Sequence, residues 1–70
     1  MQVFTASDVG AVIRMRRREL GLTQVELADR VGVGITYVSN LENGKETAEI
    51  GKALHILSML GMNLYVEVRA

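Results

Sequence analysis

The sequence predicts a small, mainly α domain: a bundle of four to five helices followed by a short C-terminal β-strand. Three observations predict it. Apolar residues recur at helical spacing through most of the chain. Glycine-containing stop signals at Leu20-Gly21, Gly32, Asn43-Gly44 and Gly61 interrupt those stretches, and no proline occurs anywhere. In MNLYVEVR the helical period gives way to strict alternation, which is the pattern of a half-buried strand.

Each element follows from local chemistry. Ser7 is the predicted N-cap of the first helix, with Val9, Ile13 and Leu20 on its inner face and Val12 beside them. Thr23 and Glu26 form a capping box, in which each side chain satisfies the other residue's free backbone donor. The second helix then runs from about Gln24 to Val31, and Gly32 ends it because glycine takes the left-handed conformation cheaply. The third starts near Gly34 and stops at Asn43-Gly44. Thr47 opens a fourth, carrying Ile50, Ala53, Leu54, Leu57 and Leu60 as one stripe. Gly10 and Gly51, both inside helices, mark expected close packing. The organisation expected is a helical domain over residues 1–61 and a dimerisation element over residues 62–70.

Composition narrows the function classes. Seventy residues make one domain with a limited core. There is no cysteine, hence no disulfide and no thiolate cluster for zinc. An apolar content of 49% is too high for intrinsic disorder. The chain starts without the layout of a secretion signal and holds no apolar run of membrane-spanning length, so a cytoplasmic protein is expected. Catalysis is not expected. The single histidine, His55, has no catalytic partner at usable spacing, no glycine loop could cradle phosphate, and no set of ligands has metal spacing. Met59 and Met62 read as core filler, and no cofactor is implied.

Net charge is zero, but its distribution is uneven. Arg14, Arg16, Arg17 and Arg18 fall within five positions and supply half of the eight basic residues. Alone, that cluster reads equally as a solvated helix face and as a surface for an anion.

The run TQVELADRVGVGITYVSNLENG decides between them. Two short helices joined by a tight glycine turn cross at a large angle. Ala28 is small where they approach, and Leu27, Val31, Val33, Val38 and Leu41 supply a shared core. That leaves Ile35, Thr36, Ser39 and Asn40 on the outer face of the third helix. Asn pairs bidentately with adenine, Ser and Thr bond several base edges, and apolar groups touch the thymine methyl. Gly34 leaves the backbone bare where such a helix would approach DNA.

LGLTQVELADRVGVGITYVSNLENG resembles the helix-turn-helix of the lambda-repressor-like, XRE-type transcription regulators over about residues 9–60. The resemblance implies that Gln24 bonds a DNA phosphate and that Gly34, Ile35, Thr36, Ser39 and Asn40 face the major groove. It implies that Tyr37, Asn43, Gly44 and Lys45 contact the DNA backbone and set register without reading sequence. It also implies a structural ion pair between Arg17 and Glu42. Two positions depart from the family pattern: Ile35 stands where many relatives are polar, and Gly34 where many have Ser or Thr.

The C-terminal strand carries a second inference. An exposed lone strand is an aggregation template unless something pairs with it. QVFT near the N-terminus is a weak partner. Pairing with a second copy through Leu64, Tyr65, Val66 and Val68 would build a two-fold homodimer suited to a palindromic double-stranded operator. A short helix-turn-helix followed at once by a strand is most similar to the HipB-type antitoxins. That narrower resemblance implies a HipA-like serine/threonine kinase toxin as partner and repression of the protein's own operon. A stand-alone regulator, the antidote to another toxin class, and an interaction module without DNA binding are the alternatives.

Overall fold

The computed structural model describes residues 1–70 and contains four helices: α1 (Ala6–Glu19), α2 (Gln24–Val31), α3 (Ile35–Glu42) and α4 (Ile50–Met59). The N-cap of α1 is Thr5, two residues before Ser7. Thr5 Oγ1 accepts from the Asp8 backbone N–H at 3.1 Å, and the Asp8 carboxylate accepts from the N–H groups of Thr5 and Phe4. Ser7 lies inside the helix, against Gly44. A carboxylate three residues on gives Thr5 a reciprocal partner, which Ser7 lacks.

The Thr23–Glu26 box is formed, with bonds of 3.0 and 3.1 Å. Gly32 ends α2 at φ +82°, in the left-handed region that favours glycine. Its N–H and that of Val33 both return to the Ala28 carbonyl, which closes the turn. α4 begins at Ile50 rather than Thr47, because residues 45–48 are spent in a turn that the Ala48 N–H closes onto the Lys45 carbonyl.

One core holds the helices together: Ile13 from α1, Leu22 before α2, Leu27 and Ala28, Val38 and Leu41, then Ala53, Ile56, Leu57 and Leu60. Val9, Val12, Val31, Val33 and Met62 pack around it, half-buried. The expected stripes shift at their edges. Leu20 is exposed, and Ile56, absent from the expected stripe, is fully buried while Ile50 is 74% exposed. Leu54 and Met59 also face outward. α4 therefore keeps Ala53, Leu57 and Leu60 of the expected stripe and exchanges Ile50 and Leu54 for Ile56.

Gly10 occupies the tightest approach among the glycines. A Cβ there would overlap the Leu41 carbonyl oxygen and lie 2.8 Å from that of Glu42. α1 therefore crosses the C-terminal turn of α3 at backbone contact. Gly51 differs: a Cβ would meet nothing, so it marks no close packing.

Residues 62–70 form no strand. A ladder needs a second segment to receive its backbone bonds, and neither QVFT nor any other part of this chain supplies one. The tail projects with Tyr65, Val66 and Val68 at 81%, 91% and 96% exposure, and Leu64 half-exposed. No helix is long and apolar enough to cross a membrane.

Candidate nucleic-acid interface

The turn between α2 and α3 presents the outer residues of α3 to solvent. Ile35 is 46% exposed and Thr36 is exposed, while Ser39 and Asn40 are half-buried along the same flank. The neighbouring positions Val38 and Leu41 are buried, so burial on one side of an eight-residue helix is what turns the others outward. Gly34 is the N-cap of α3, with φ −73° and ψ 150°, and no side chain caps the helix. That conformation is open to any residue, and a Cβ there would touch nothing. Glycine at this position answers no demand of the fold.

Behind α3 lies a buried charge cluster. Glu42, at the end of α3, is 3% exposed and Arg17 of α1 is 8% exposed. Arg17 grips the carboxylate with both arms of its fork, Nε to Oε2 at 2.6 Å and a terminal nitrogen to Oε1 at 2.9 Å. Its other terminal nitrogen donates to the Leu22 carbonyl at 2.8 Å. Such a bidentate pair is short, directional and charge-assisted. Burial pushes the Glu42 carboxyl up, but the bonds from Arg17, Gln24 and Arg14 outweigh it and hold the group below its ordinary value. No buried side-chain polar atom lacks a partner.

Three residues expected at the DNA backbone are tied into the protein. Gln24 donates its amide to Glu42 Oε1 at 3.2 Å. Tyr37 donates its hydroxyl to the Glu49 carbonyl at 2.6 Å, and Lys52 sits 5.4 Å from its ring centroid. That anchors the middle of α3 to the start of α4. Asn43 is exposed, but its Oδ1 accepts from Arg14 at 3.0 Å. Lys45 is exposed and makes no side-chain bond. Its N–H returns to the Asn40 carbonyl, and Gly44 at φ +80° gives the left-handed turn that lets it do so.

The arginine cluster divides by direction. Arg14 and Arg17, three apart and so on one face of α1, both reach Glu42. Arg16 points the other way, capping the end of α4 through the Leu60 carbonyl at 3.0 Å and lying near Glu19. Arg18 is exposed. The i, i+3 spacing could have paired Arg14 with Arg17; nothing local announces the reach of Arg16 to Leu60, 44 residues away.

Two crossed helices over a glycine turn, the second with an outward polar and methyl-bearing flank, define a helix-turn-helix domain. Comparison with known proteins places it. The helix-turn-helix family model matches residues 13–65, and the chain belongs to this XRE-type family of transcription regulators. It is 44% identical over 63 residues to an uncharacterised helix-turn-helix-type transcriptional regulator, y4mF, of Sinorhizobium fredii, covering 90% of this chain and 83% of that one. A second such regulator, from Methanothermobacter thermautotrophicus, is 46% identical over 50 residues, 71% of this chain and 72% of that one. Among solved structures, a HipB–O4 20mer complex matches with a TM-score of 0.87, covering 100% of this chain and 99% of that one at 21% identity. A HipA–HipB–O2–O3 complex matches with the same TM-score and coverage. At that identity the likeness establishes the fold.

Proposed function

We propose that the protein is a sequence-specific transcriptional repressor. It acts in the cytoplasm as a homodimer on a palindromic operator and serves as the antitoxin of a HipBA-like toxin–antitoxin system. One observation carries the DNA-binding reading: the side chains of Ile35, Thr36, Ser39 and Asn40 enter neither the core nor an internal hydrogen bond, on a helix whose other side is locked into the core. Asn40 reads a base edge, Thr36 and Ser39 add adaptable bonds, and Ile35 suits a thymine methyl. Lys45 and Asn43 contact phosphates and set register. The bare Gly34 lets the start of α3 come close to DNA. Gln24 joins the phosphate contacts through its second Nε2–H while the first stays on Glu42.

Dimerisation through the tail fits its exposure. The tail also forms one wall of an apolar groove of about 450 Å³ against α1 and α4, lined by Val9, Val12, Met15, Leu57, Met62 and Leu64 among others. A second copy's tail, paired strand to strand, would bury both. Two copies would then set their α3 helices in successive major grooves, with half-sites about 34–36 Å apart. The antitoxin role and a HipA-like kinase partner rest on likeness to HipB complexes alone. A stand-alone regulator is the second reading, favoured by the relatives from Sinorhizobium and Methanothermobacter, which are known as helix-turn-helix-type transcriptional regulators.

Fluorescence anisotropy on the DNA upstream of the protein's own gene tests the first part, with scrambled duplex as competitor and salt stepped from about 50 to 200 mM. Tight, competitor-resistant binding that weakens with salt is expected. Equal weak binding to both duplexes would refute sequence-specific repression. Asn40→Ala should cost about 1–3 kcal/mol on the preferred duplex and little on the scrambled one. Co-purification with the product of the adjoining gene separates antitoxin from stand-alone regulator.

A further inference from the structure

Arg14 meets Asn43 in a way that neither the core nor the outer flank of α3 requires. One terminal nitrogen of Arg14 donates both to the Glu42 carbonyl at 3.2 Å and to Asn43 Oδ1 at 3.0 Å. Its Nε reaches Glu42 Oε1 at 3.4 Å, so the guanidinium is held from three directions. Glu42 is itself immobilised by Arg17, and the cluster is rigid back to α1.

An asparagine amide has an acceptor end and a donor end. With Oδ1 committed to Arg14, the two N–H groups of Asn43 are the end left to solvent, just beyond the C-terminus of α3. A phosphodiester oxygen accepts hydrogen bonds and cannot donate them. Only this orientation of the amide can therefore bind a DNA backbone; the reverse would set oxygen against oxygen.

We propose that Arg14 is a positioning residue for DNA: it fixes the Asn43 amide so that Nδ2 donates to a backbone phosphate. Arg14 thus contributes through Asn43 rather than by its charge. The proposal rests on the DNA-binding reading above and assigns a division of labour within it.

A double-mutant cycle tests it, using the full chain on the labelled duplex upstream of its own gene. The variants are Arg14→Lys, Asn43→Ala and the pair together. Lysine keeps the positive charge and loses the fork that spans Glu42 and Asn43. Asn43→Ala should weaken binding about fivefold, the worth of one hydrogen bond. Arg14→Lys should weaken it by a similar factor in the wild-type background and by nothing in Asn43→Ala, with the salt slope unchanged. Losses that multiply in the double variant would make Arg14 an independent contact and overturn the proposal, as would an Asn43→Ala variant that binds like wild type. A wild type that binds no duplex would instead overturn the DNA reading, and this proposal with it. Thermal unfolding accompanies each variant; if Arg14→Lys does not fold, Arg14→Gln takes its place in the cycle.

Discussion

Replacing Glu42 by Gln changes one atom and removes one charge from the middle of the fold. It leaves the Arg17 guanidinium, 8% exposed, without an anion. Removing one partner of a buried pair costs about 3–5 kcal/mol, because the remaining charge is stranded. Here the lower end applies, since Arg17 keeps its 2.8 Å bond to the Leu22 carbonyl and the glutamine oxygen still accepts one donor. For a domain of this size total stability is about 4–10 kcal/mol, so Glu42→Gln removes a third or more of it. In a small domain 1 kcal/mol moves Tm by about 4–8 °C, and a fall of at least about 12 °C is expected. Urea unfolding followed by circular dichroism measures the loss directly. A loss below about 1 kcal/mol would mean that the pair behaves as a surface ion pair, and the reasoning from burial would fail. The double change Arg17→Met with Glu42→Leu should recover only part of the loss, because it removes the stranded charge but leaves the Leu22 carbonyl, the Gln24 amide and Arg14 without their partner.

pH supplies an independent check with a definite sign. The Glu42 carboxyl is held below its ordinary value of 4.5 in the folded state. Its contribution is fully present above that ordinary value and is lost as pH falls through the lower folded value. Wild-type stability should therefore decline on the acid side of 4.5, with a shallower decline in Glu42→Gln, as acid urea titrations can read. Asp8 and Glu26, lowered by their capping bonds to Phe4 and Thr23, act with the same sign and account for slope that remains.

Three further outcomes follow from particular contacts. Gly10→Ala should cost at least about 1–3 kcal/mol by thermal unfolding, because the obstructing atoms are backbone carbonyls that cannot swing aside; wild-type stability would refute backbone contact between α1 and α3. Gly34→Ser supplies the missing N-cap and should raise stability by a few tenths of a kcal/mol while weakening binding to the upstream duplex. Equal or tighter binding would show that Gly34 is no approach point. Val66→Lys with Val68→Lys should convert a dimer to a monomer in light scattering at unchanged helicity; an unchanged mass would place dimerisation elsewhere.

The local chemistry of this chain reached the structure almost unaltered where neighbours in sequence decide the outcome. The Thr23–Glu26 box, the left-handed Gly32 and the buried set Leu27, Ala28, Val38 and Leu41 needed only capping rules and a 3.6-residue period. So did the outward flank of α3, which is the complement of its buried side. Ser7 was displaced by Thr5 because Asp8 is a better reciprocal partner, a choice legible in the sequence once both candidates are compared. α4 was not legible in the same way. Ile50 and Leu54 fit the apolar stripe as well as Ile56 does, and only the surface that α4 meets selects among faces a short arc apart.

What the sequence alone determined is therefore the set of helices, the glycine stops that end them and the class of fold. The tertiary structure decided how the arginines divide: two onto the Glu42 carboxylate, one onto the far end of α4, one into solvent. It also decided that the Asn43 amide has a fixed face. The tail shows the boundary most clearly. Alternation in MNLYVEVR records a preference for an extended, two-faced segment, but a strand exists only where another segment receives its backbone bonds. No other segment of this chain does so, and the tail stays without a ladder.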